Sequence, residues 1–124
     1  MAKLYFTKEH EYVQVKGDIA HVGITDYAQD KMGDIVYVEL PEIDAELDQG
    51  DPMGVVESVK SAADVFAPVS GTIIEVNEAL EDEPELLNED AMENWICRIQ
   101  LSDPSELDDL MDEEEYKEFL GTEE

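Results

Sequence analysis

Basic residues are scarce in this 124-residue chain: 7 lysines and arginines face 34 aspartates and glutamates, which gives a formal net charge of −27. Proteins bind polyphosphates largely through cationic side chains that displace counterions. This composition therefore excludes nucleic acid as a natural partner. It argues in the same way against binding to an anionic membrane surface.

Long apolar runs and paired cysteines are missing as well. No stretch approaches the ~20 apolar residues that cross a bilayer, and residues 1–10 lack the apolar centre of a signal peptide. Cys97 is the single cysteine, so no internal disulfide can form, which agrees with a reducing compartment. We expect a soluble, cytoplasmic chain whose length suits one domain with one core.

Motifs for catalysis and for metal binding are also absent. The chain has no nucleophile elbow, phosphate loop or dinucleotide fingerprint. His10 and His21 lack the spacing of a metal-binding pair. Residues 44–48 alternate like a calcium loop, but Gln49 occupies the position that requires glycine. Cys97 shares its strand face with apolar residues and is predicted to be a small core residue. We predict no catalytic residue and no metal site.

Short apolar stretches separated by turn formers dominate the rest of the sequence. Seven stretches have the length and pattern of strands: 12–15, 19–24, 35–40, 54–59, 63–67, 72–76 and 95–101. Glycine, proline, aspartate and asparagine lie between them. Many short strands at close spacing predict an antiparallel β-sandwich or barrel.

Helical signals are strongest at the far end of the chain. Asp103 has the character of an N-cap, Pro104 suits the first helical position, and Glu106 stands where a capping box needs a carboxylate. Apolar residues then recur at helical spacing, which predicts one or two helices over 103–121. A shorter helix is expected at 27–32.

Acidic residues concentrate in two segments. Residues 78–93 contain eight and residues 103–124 contain eleven. We expect both segments to lie on the surface and residues 55–76 to form core.

Lys60 stands out because it is the only basic residue between Lys31 and Arg98. An apolar strand leads up to it and another leads away, which predicts a hairpin with this lysine at or near its tip. Two interpretations remain open at this point. The side chain is an ordinary surface lysine, or it is the attachment point of a carried group.

Several segments together resemble the H protein of the glycine cleavage system. They are 10–13 (HEYV), 22–26 (VGITD), 33–41 (GDIVYVELP), 56–60 (VESVK), 67–71 (APVSG), 76–80 (VNEAL), 84–90, Trp95 and 101–107 (LSDPSEL). They occur in family order and span nearly the whole chain. The resemblance implies a mainly β fold, the lipoyl/biotinyl-type hybrid β-sandwich or flattened barrel. Residues 1–124 would form one lipoyl-carrier domain with a helical extension at 103–121.

In that family the lysine of the ESVK motif carries lipoic acid in amide linkage, which corresponds to Lys60. The resemblance implies a non-catalytic shuttle. A monomer that forms transient complexes with its partners is the default expectation. The shuttle takes an aminomethyl group from the pyridoxal-phosphate glycine decarboxylase to the tetrahydrofolate-dependent aminomethyltransferase, and electrons to dihydrolipoyl dehydrogenase. A lipoate ligase or a lipoyl or octanoyl transferase would attach the cofactor.

The family also folds its loaded arm into a cleft. The loaded amine is cationic, so a nearby carboxylate is expected to hold it. By position in the matching motifs, Glu11 and Asp64 are the candidates for this role. Glu57, three residues before Lys60, is a candidate contact for the lipoylating enzyme. Gly71 is expected to serve the turn before it. The loop 90–94 is shorter than is usual in the family, so its cleft contacts are not carried over.

Alternative carriers use the same kind of hairpin lysine. A biotin carrier has methionine on both sides of that lysine, whereas Val59 and Ser61 flank Lys60. A lipoyl domain of a 2-oxoacid dehydrogenase is shorter and lacks such C-terminal helices. An H-like lipoate donor and an unmodified acidic interaction protein are the remaining alternatives. The excess of carboxylates further suggests a halophilic host, where molar salt screens their repulsion.

Overall fold

Two antiparallel β-sheets make up most of the computed structural model, which describes residues 3–123. The strands are β1 Lys3–Phe6, β2 Glu11–Lys16, β3 Ile19–Ile24, β4 Ile35–Glu39, β5 Glu46–Leu47, β6 Pro52–Ser58, β7 Ala62–Phe66, β8 Gly71–Val76 and β9 Cys97–Leu101. The larger sheet has the order β1-β2-β3-β9-β8-β5, and the smaller has the order β4-β6-β7. The predicted mainly β sandwich is confirmed.

Short helices connect and follow these strands. They are α1 Asp26–Met32, α2 Ala79–Asp82, α3 Leu86–Glu89, a 3-10 helix Pro104–Asp109 and α4 Glu113–Glu123. Helix α1 agrees with the helix expected at 27–32. Across residues 3–123, no helix has the length and apolar character to span a membrane.

The core lies between the two sheets. It contains alternate residues of the strands, among them Val13, Val22, Val38, Val56, Val65, Ile73, Cys97 and Ile99, all of which are buried. Cys97 belongs to this core as predicted, and burial raises the pKa of its thiol to about 12. The thiol is therefore protonated and unreactive near neutral pH.

Trp95 departs from the predicted pattern. The sequence places it on one strand face with Cys97, but β9 begins only at Cys97. Its ring instead packs against His21 and Arg98, with the guanidinium 4.7 Å from the ring centroid. The loop 90–94 lies on the same outer side, where the Tyr12 hydroxyl donates to the carbonyl of Met92 at 3.1 Å.

All seven predicted strand stretches contain a strand, and two short strands were missed. Strand β1 pairs with β2, and the two-residue strand β5 pairs with the start of β8. Both missed strands lie at the edges of the larger sheet. Segments this short become strands because they pair with a neighbouring strand. Their own sequences contain too little alternation of apolar and polar residues to predict a strand.

The prediction that residues 78–93 lie on the surface is wrong for two leucines and for Ala91, which is 1% exposed. Leu80 in α2 and Leu87 in α3 are fully buried in the main core. Asn88 adds polar contacts, since its side chain accepts from the amide of Ile35 at 2.8 Å and donates to the carbonyl of Gly33 at 2.9 Å. One buried leucine in each short helix is enough to anchor this acidic segment to the core. A count of acidic residues cannot reveal such an anchor.

The N-cap predicted at Asp103 for the first C-terminal helix is confirmed, since its carboxylate accepts from the amide of Ser105 at 3.1 Å. The first helix is a 3-10 helix, and α4 follows as a second helix. Glu106 does not complete a capping box. Its two carboxylate oxygens accept from the amide and the hydroxyl of Ser70, each at 2.6 Å. This pair of bonds ties the C-terminal extension to the loop before β8.

Gly71 is needed for a close approach between strands β8 and β9. A Cβ atom at this position would overlap the carbonyl oxygen of Gln100 and would lie 2.6 Å from Cγ2 of Ile99. The expectation that Gly71 serves the preceding turn is therefore replaced by a packing role, since the residue pairs with Leu101 as the first position of β8.

We predict that Gly71→Ala destabilises the protein by about 3 kcal/mol or more, because the backbone of Gln100 cannot move aside cheaply. Gly121→Ala is the matched control. Gly121 lies in α4, and a Cβ atom added there would have no atom within 4 Å, so this change is expected to leave stability equal or raise it by about 0.5–1 kcal/mol. Urea unfolding measures both, and equal stability of the two variants would contradict the packing role.

Candidate functional site

Lys60 lies at the tip of the hairpin formed by β6 and β7. The amide of Ser58 donates to the carbonyl of Ser61 at 2.7 Å, and the Ser58 hydroxyl oxygen accepts from the amide of Ser61 at 3.1 Å. The amide of Val59 donates to the carbonyl of Asp34 at 3.0 Å, which fastens the tip to the segment before β4. The lysine side chain is therefore exposed on a turn whose backbone is fixed by hydrogen bonds.

The stem of Lys60 passes beside the end of helix α1. Gly33 ends this helix with φ +80°, and a Cβ atom there would lie 3.4 Å from Cε of Lys60. Glycine suits this position because it accepts positive φ, and the lysine stem lies at ordinary contact distance from it.

A cavity of about 210 Å³ lies between α1, β7 and the turn before β2. Its apolar walls are formed by Ile24, Ala28, Met32, Val56 and Val65. Ala63 also lines it, three residues beyond Lys60 and therefore roughly 10 Å along the strand. A group carried on an extended lysine side chain can reach this cavity by folding back along the hairpin.

Glu11 is buried at this cavity, with 3% of its surface exposed. One carboxylate oxygen accepts from the hydroxyl of Thr7 at 2.9 Å, and the other accepts from the amide of Phe66 at 3.0 Å. Burial raises the pKa of Glu11 to about 7, and the two hydrogen bonds oppose that rise. The carboxyl group therefore changes charge near neutral pH.

Asp64 lines the same cavity and is exposed on strand β7. The structure thus brings together Glu11 and Asp64, the two carboxylates selected from the sequence. Glu57 lies elsewhere. It is exposed on β6, opposite Tyr37 of β4 and Ala62 of β7, and it is not among the residues that line the cavity.

Three polar residues of the cavity were not selected from the sequence. Glu9, His10 and Lys31 all line it. The ring of His10 lies 4.7 Å from that of Tyr27, and the ammonium of Lys31 lies 5.4 Å from the same Tyr27 ring. His10 belongs to the motif that identifies Glu11, and Lys31 lies on the helix face of Ala28. Those two signals could have indicated both residues.

A larger cavity of about 330 Å³ lies on the outer face of the six-stranded sheet. It is lined by Lys16, His21, Trp95 and Arg98 among others, and by no residue of the β6–β7 hairpin. Met92 and Glu93 of the loop 90–94 line this outer cavity and not the one beside Lys60. The smaller cavity is the candidate site because the hairpin lysine can reach it.

The residues present fit a long acyl arm on Lys60. Its methylenes would lie against the apolar walls, and the carboxylates of Glu11 and Asp64 suit a cationic terminal group. The described part of the chain contains no group of three or more His, Cys, Asp or Glu side chains that could hold a metal ion.

Comparison with known proteins gives a consistent result. Residues 4–123 match the family model described as Glycine cleavage H-protein. The chain is 56% identical over 120 residues to the glycine cleavage system H protein of Thermoanaerobacter sp. (strain X514), covering 97% of this chain and 95% of the relative. It is 54% identical over 123 residues to that of Alkaliphilus oremlandii (strain OhILAs), covering 99% and 97%.

A solved structure is similar as well. The crystal structure of a glycine cleavage system H protein from Mycobacterium marinum superposes with a TM-score of 0.88 at 33% identity, covering 96% of this chain and 97% of that one. The likeness therefore extends over the sheets, the hairpin and the C-terminal helices together.

The pKa of Glu11 generates a prediction for stability. Because the folded pKa lies near 7 and the ordinary pKa of a glutamate is 4.5, the folded state holds an extra proton between these pH values. This carboxyl therefore lowers stability as pH rises from 4.5 to 7, by up to about 3 kcal/mol. Glu11→Gln should remove that loss, as measured by urea unfolding from about pH 5 to about pH 8 in molar KCl.

Glu57→Gln is the matched control for this measurement, since Glu57 is exposed and its replacement should leave the wild-type pH profile. The pKa of His21 is lowered by burial and by Arg98, but His21 is the same in all three proteins. The difference between the profiles therefore isolates Glu11. Parallel profiles for wild type and Glu11→Gln would contradict the raised pKa.

Proposed function

This chain belongs to the glycine cleavage H-protein family, whose members are lipoyl carriers of the glycine cleavage system, and on that premise we propose that Lys60 carries the lipoyl group in amide linkage. The protein is a carrier component and not an enzyme. Membership of the system implies its enzymes as partners. The single observation that supports Lys60 is its exposed position on a tightly hydrogen-bonded hairpin tip beside a cavity.

Attachment requires only that Lys60 presents its amine. The deprotonated Nζ attacks the carbonyl carbon of an acyl-adenylate or acyl thioester held by a lipoate ligase or a lipoyl or octanoyl transferase. A C–N bond forms, the bond to the leaving group breaks, and the leaving group departs with its electron pair while a base takes the proton. Glu57 lies near enough to the tip to contact such an enzyme.

When bound, the lipoyl group supplies a dithiolane that carries an aminomethyl group from glycine decarboxylase to aminomethyltransferase and electrons to dihydrolipoyl dehydrogenase. The chain's own residues bind and shelter the cargo. Glu11 and Asp64 provide negative charge for a cationic amine, and a nearby cation favours the ionised form of Glu11. The apolar walls exclude water from the remainder of the cavity.

The family assignment leaves the biotin-carrier and 2-oxoacid dehydrogenase alternatives without support. A lipoate-donor role would use the same Lys60, and no contact among the described residues favours it over glycine cleavage. We propose that residues 1–124 work as one monomeric carrier domain, with 103–121 as its helical extension.

The attachment site is tested by mass. Wild-type protein produced with its attaching enzyme and lipoate should show one lipoyl adduct, and peptide mapping should place it on Lys60. Lys60→Arg should remove the adduct and glycine–bicarbonate exchange with added decarboxylase, while its melting temperature stays that of the wild type. Lys16→Arg is the control and should be modified normally. A bare amine at Lys60 in the wild type would overturn the proposal.

The net charge of −27 supports a second proposal, that the protein works in a salt-rich cytoplasm. The Debye screening length falls from about 10 Å at 0.1 M salt to about 3 Å at 1 M, so repulsion among surface carboxylates is suppressed at molar salt. We expect the melting temperature to rise by about 10 °C or more between about 0.05 and 3 M KCl. Sucrose serves as the uncharged control, and a melting temperature indifferent to KCl would contradict the proposal.

A further inference from the structure

The turn that carries His10 has an unusual backbone beside the cavity. His10 adopts φ +67°, a left-handed conformation that few residues other than glycine accept. Its amide donates to the carbonyl of Thr7 at 3.1 Å, and its carbonyl accepts from the amide of Thr25 at 3.0 Å. Such a conformation persists only where surrounding contacts hold it, and it often marks a functional site.

The hydroxyl of Tyr116 in helix α4 joins two walls of the cavity. It lies 2.8 Å from Nδ1 of His10 and 2.9 Å from Oγ1 of Thr25. His10 and the adjacent Glu11 form one wall. Thr25 caps helix α1 by accepting from the amide of Ala28 at 3.2 Å, and α1 forms the other wall. A hydroxyl can donate and accept together, so both bonds can form at once.

The ring of Tyr116 is held independently of its hydroxyl. It is buried and stacked on Phe6 with ring centroids 4.4 Å apart. Phe6 exchanges two backbone hydrogen bonds with Met111, at 2.8 and 2.9 Å, just before α4 begins. The C-terminal helix is thus anchored to β1, and removal of the hydroxyl alone should leave the ring in place.

We propose that Tyr116 is a positioning residue for the carrier arm: its hydroxyl holds the His10 side chain, which lines the cavity, against the cap of helix α1 and so determines how fully the docked arm is shielded from water. This inference rests on the proposed attachment at Lys60 and docking in the cavity. The C-terminal extension then acts on the site although its helix contributes no described residue to the cavity lining.

The test compares two tyrosines that each lose a hydroxyl. Tyr116→Phe removes both bonds described above. Tyr12→Phe removes the bond to Met92 on the outer face of the sheet, away from the cavity beside Lys60. Both variants should lose stability, Tyr116→Phe by the larger amount because it loses two hydrogen bonds and Tyr12→Phe loses one. A selective effect of Tyr116→Phe on the arm therefore separates positioning from general destabilisation.

Two measurements are made on lipoylated protein, reduced and loaded with formaldehyde and ammonium. The first is the rate of ammonia release, in which one water converts the aminomethyl group and its sulfur to formaldehyde, ammonia and a thiol. The second does not depend on activity: the NMR shifts of the Ala28 and Ala63 amides between loaded and unloaded protein report the docked fraction of the arm. Mass measurement checks that Lys60 is modified equally in every variant.

We expect Tyr116→Phe to release ammonia about fivefold or more faster than wild type, since one lost net hydrogen bond already corresponds to about fivefold and two are lost, and to show reduced docking shifts. Tyr12→Phe should match the wild type in both. His10→Asn, which keeps a residue type that tolerates positive φ, should resemble Tyr116→Phe. Wild-type release and shifts in Tyr116→Phe would overturn the inference, and so would equal acceleration in Tyr12→Phe.

The same measurements distinguish failure of the proposed docking from failure of the proposed role of Tyr116. If loaded wild-type protein shows no shift at Ala28 and Ala63, the arm does not dock in the cavity, and both docking and the role of Tyr116 are wrong. If the wild type shows the shifts and Tyr116→Phe retains them, docking stands and only the positioning role is wrong.

Discussion

The hydrogen bond from the amide of Phe66 to the carboxylate of Glu11 joins the two sheets where the candidate site lies. Glu11 begins β2 of the larger sheet, and Phe66 ends β7, the edge strand of the smaller sheet. An edge strand has unpaired backbone donors, and this carboxylate satisfies one of them. The arrangement requires burial of an acidic group, which raises the pKa of Glu11 to about 7.

The buried polar side chains and the many surface carboxylates have different structural roles. Among the described residues, the buried polar or charged side chains are Glu11, Thr25 and Ser70. Each makes hydrogen bonds between elements far apart in the chain: Glu11 with β7, Thr25 with α4, and Ser70 with Glu106 of the extension. The C-terminal helices are therefore connected to both the sheets and the cavity by polar contacts. Surface acids set the charge of the protein, whereas these three residues specify how its parts meet.

Local patterns predicted most of the secondary structure, and their errors have physical causes. The alternation in 19–24 predicts the bounds of β3, and the cap predicted at Asp103 is confirmed. Glu106 was assigned to that cap as well, but the amide and hydroxyl of Ser70 offer it two donors at once. The acids around Leu80 and Leu87 concealed two core residues, because a short helix can bury one side chain and expose all the others.

The position of Lys60 at a hairpin tip was determined by the sequence alone, because a turn between Ser58 and Ser61 depends on neighbouring residues and on the alternation beside them. The family resemblance likewise indicated Glu11 and Asp64. Only the tertiary structure decided that these carboxylates share a cavity with His10 and Lys31, and that Tyr116 links two of its walls. Those facts depend on contacts between segments far apart in the chain and on the loss of water around them, and neither is encoded in any local pattern.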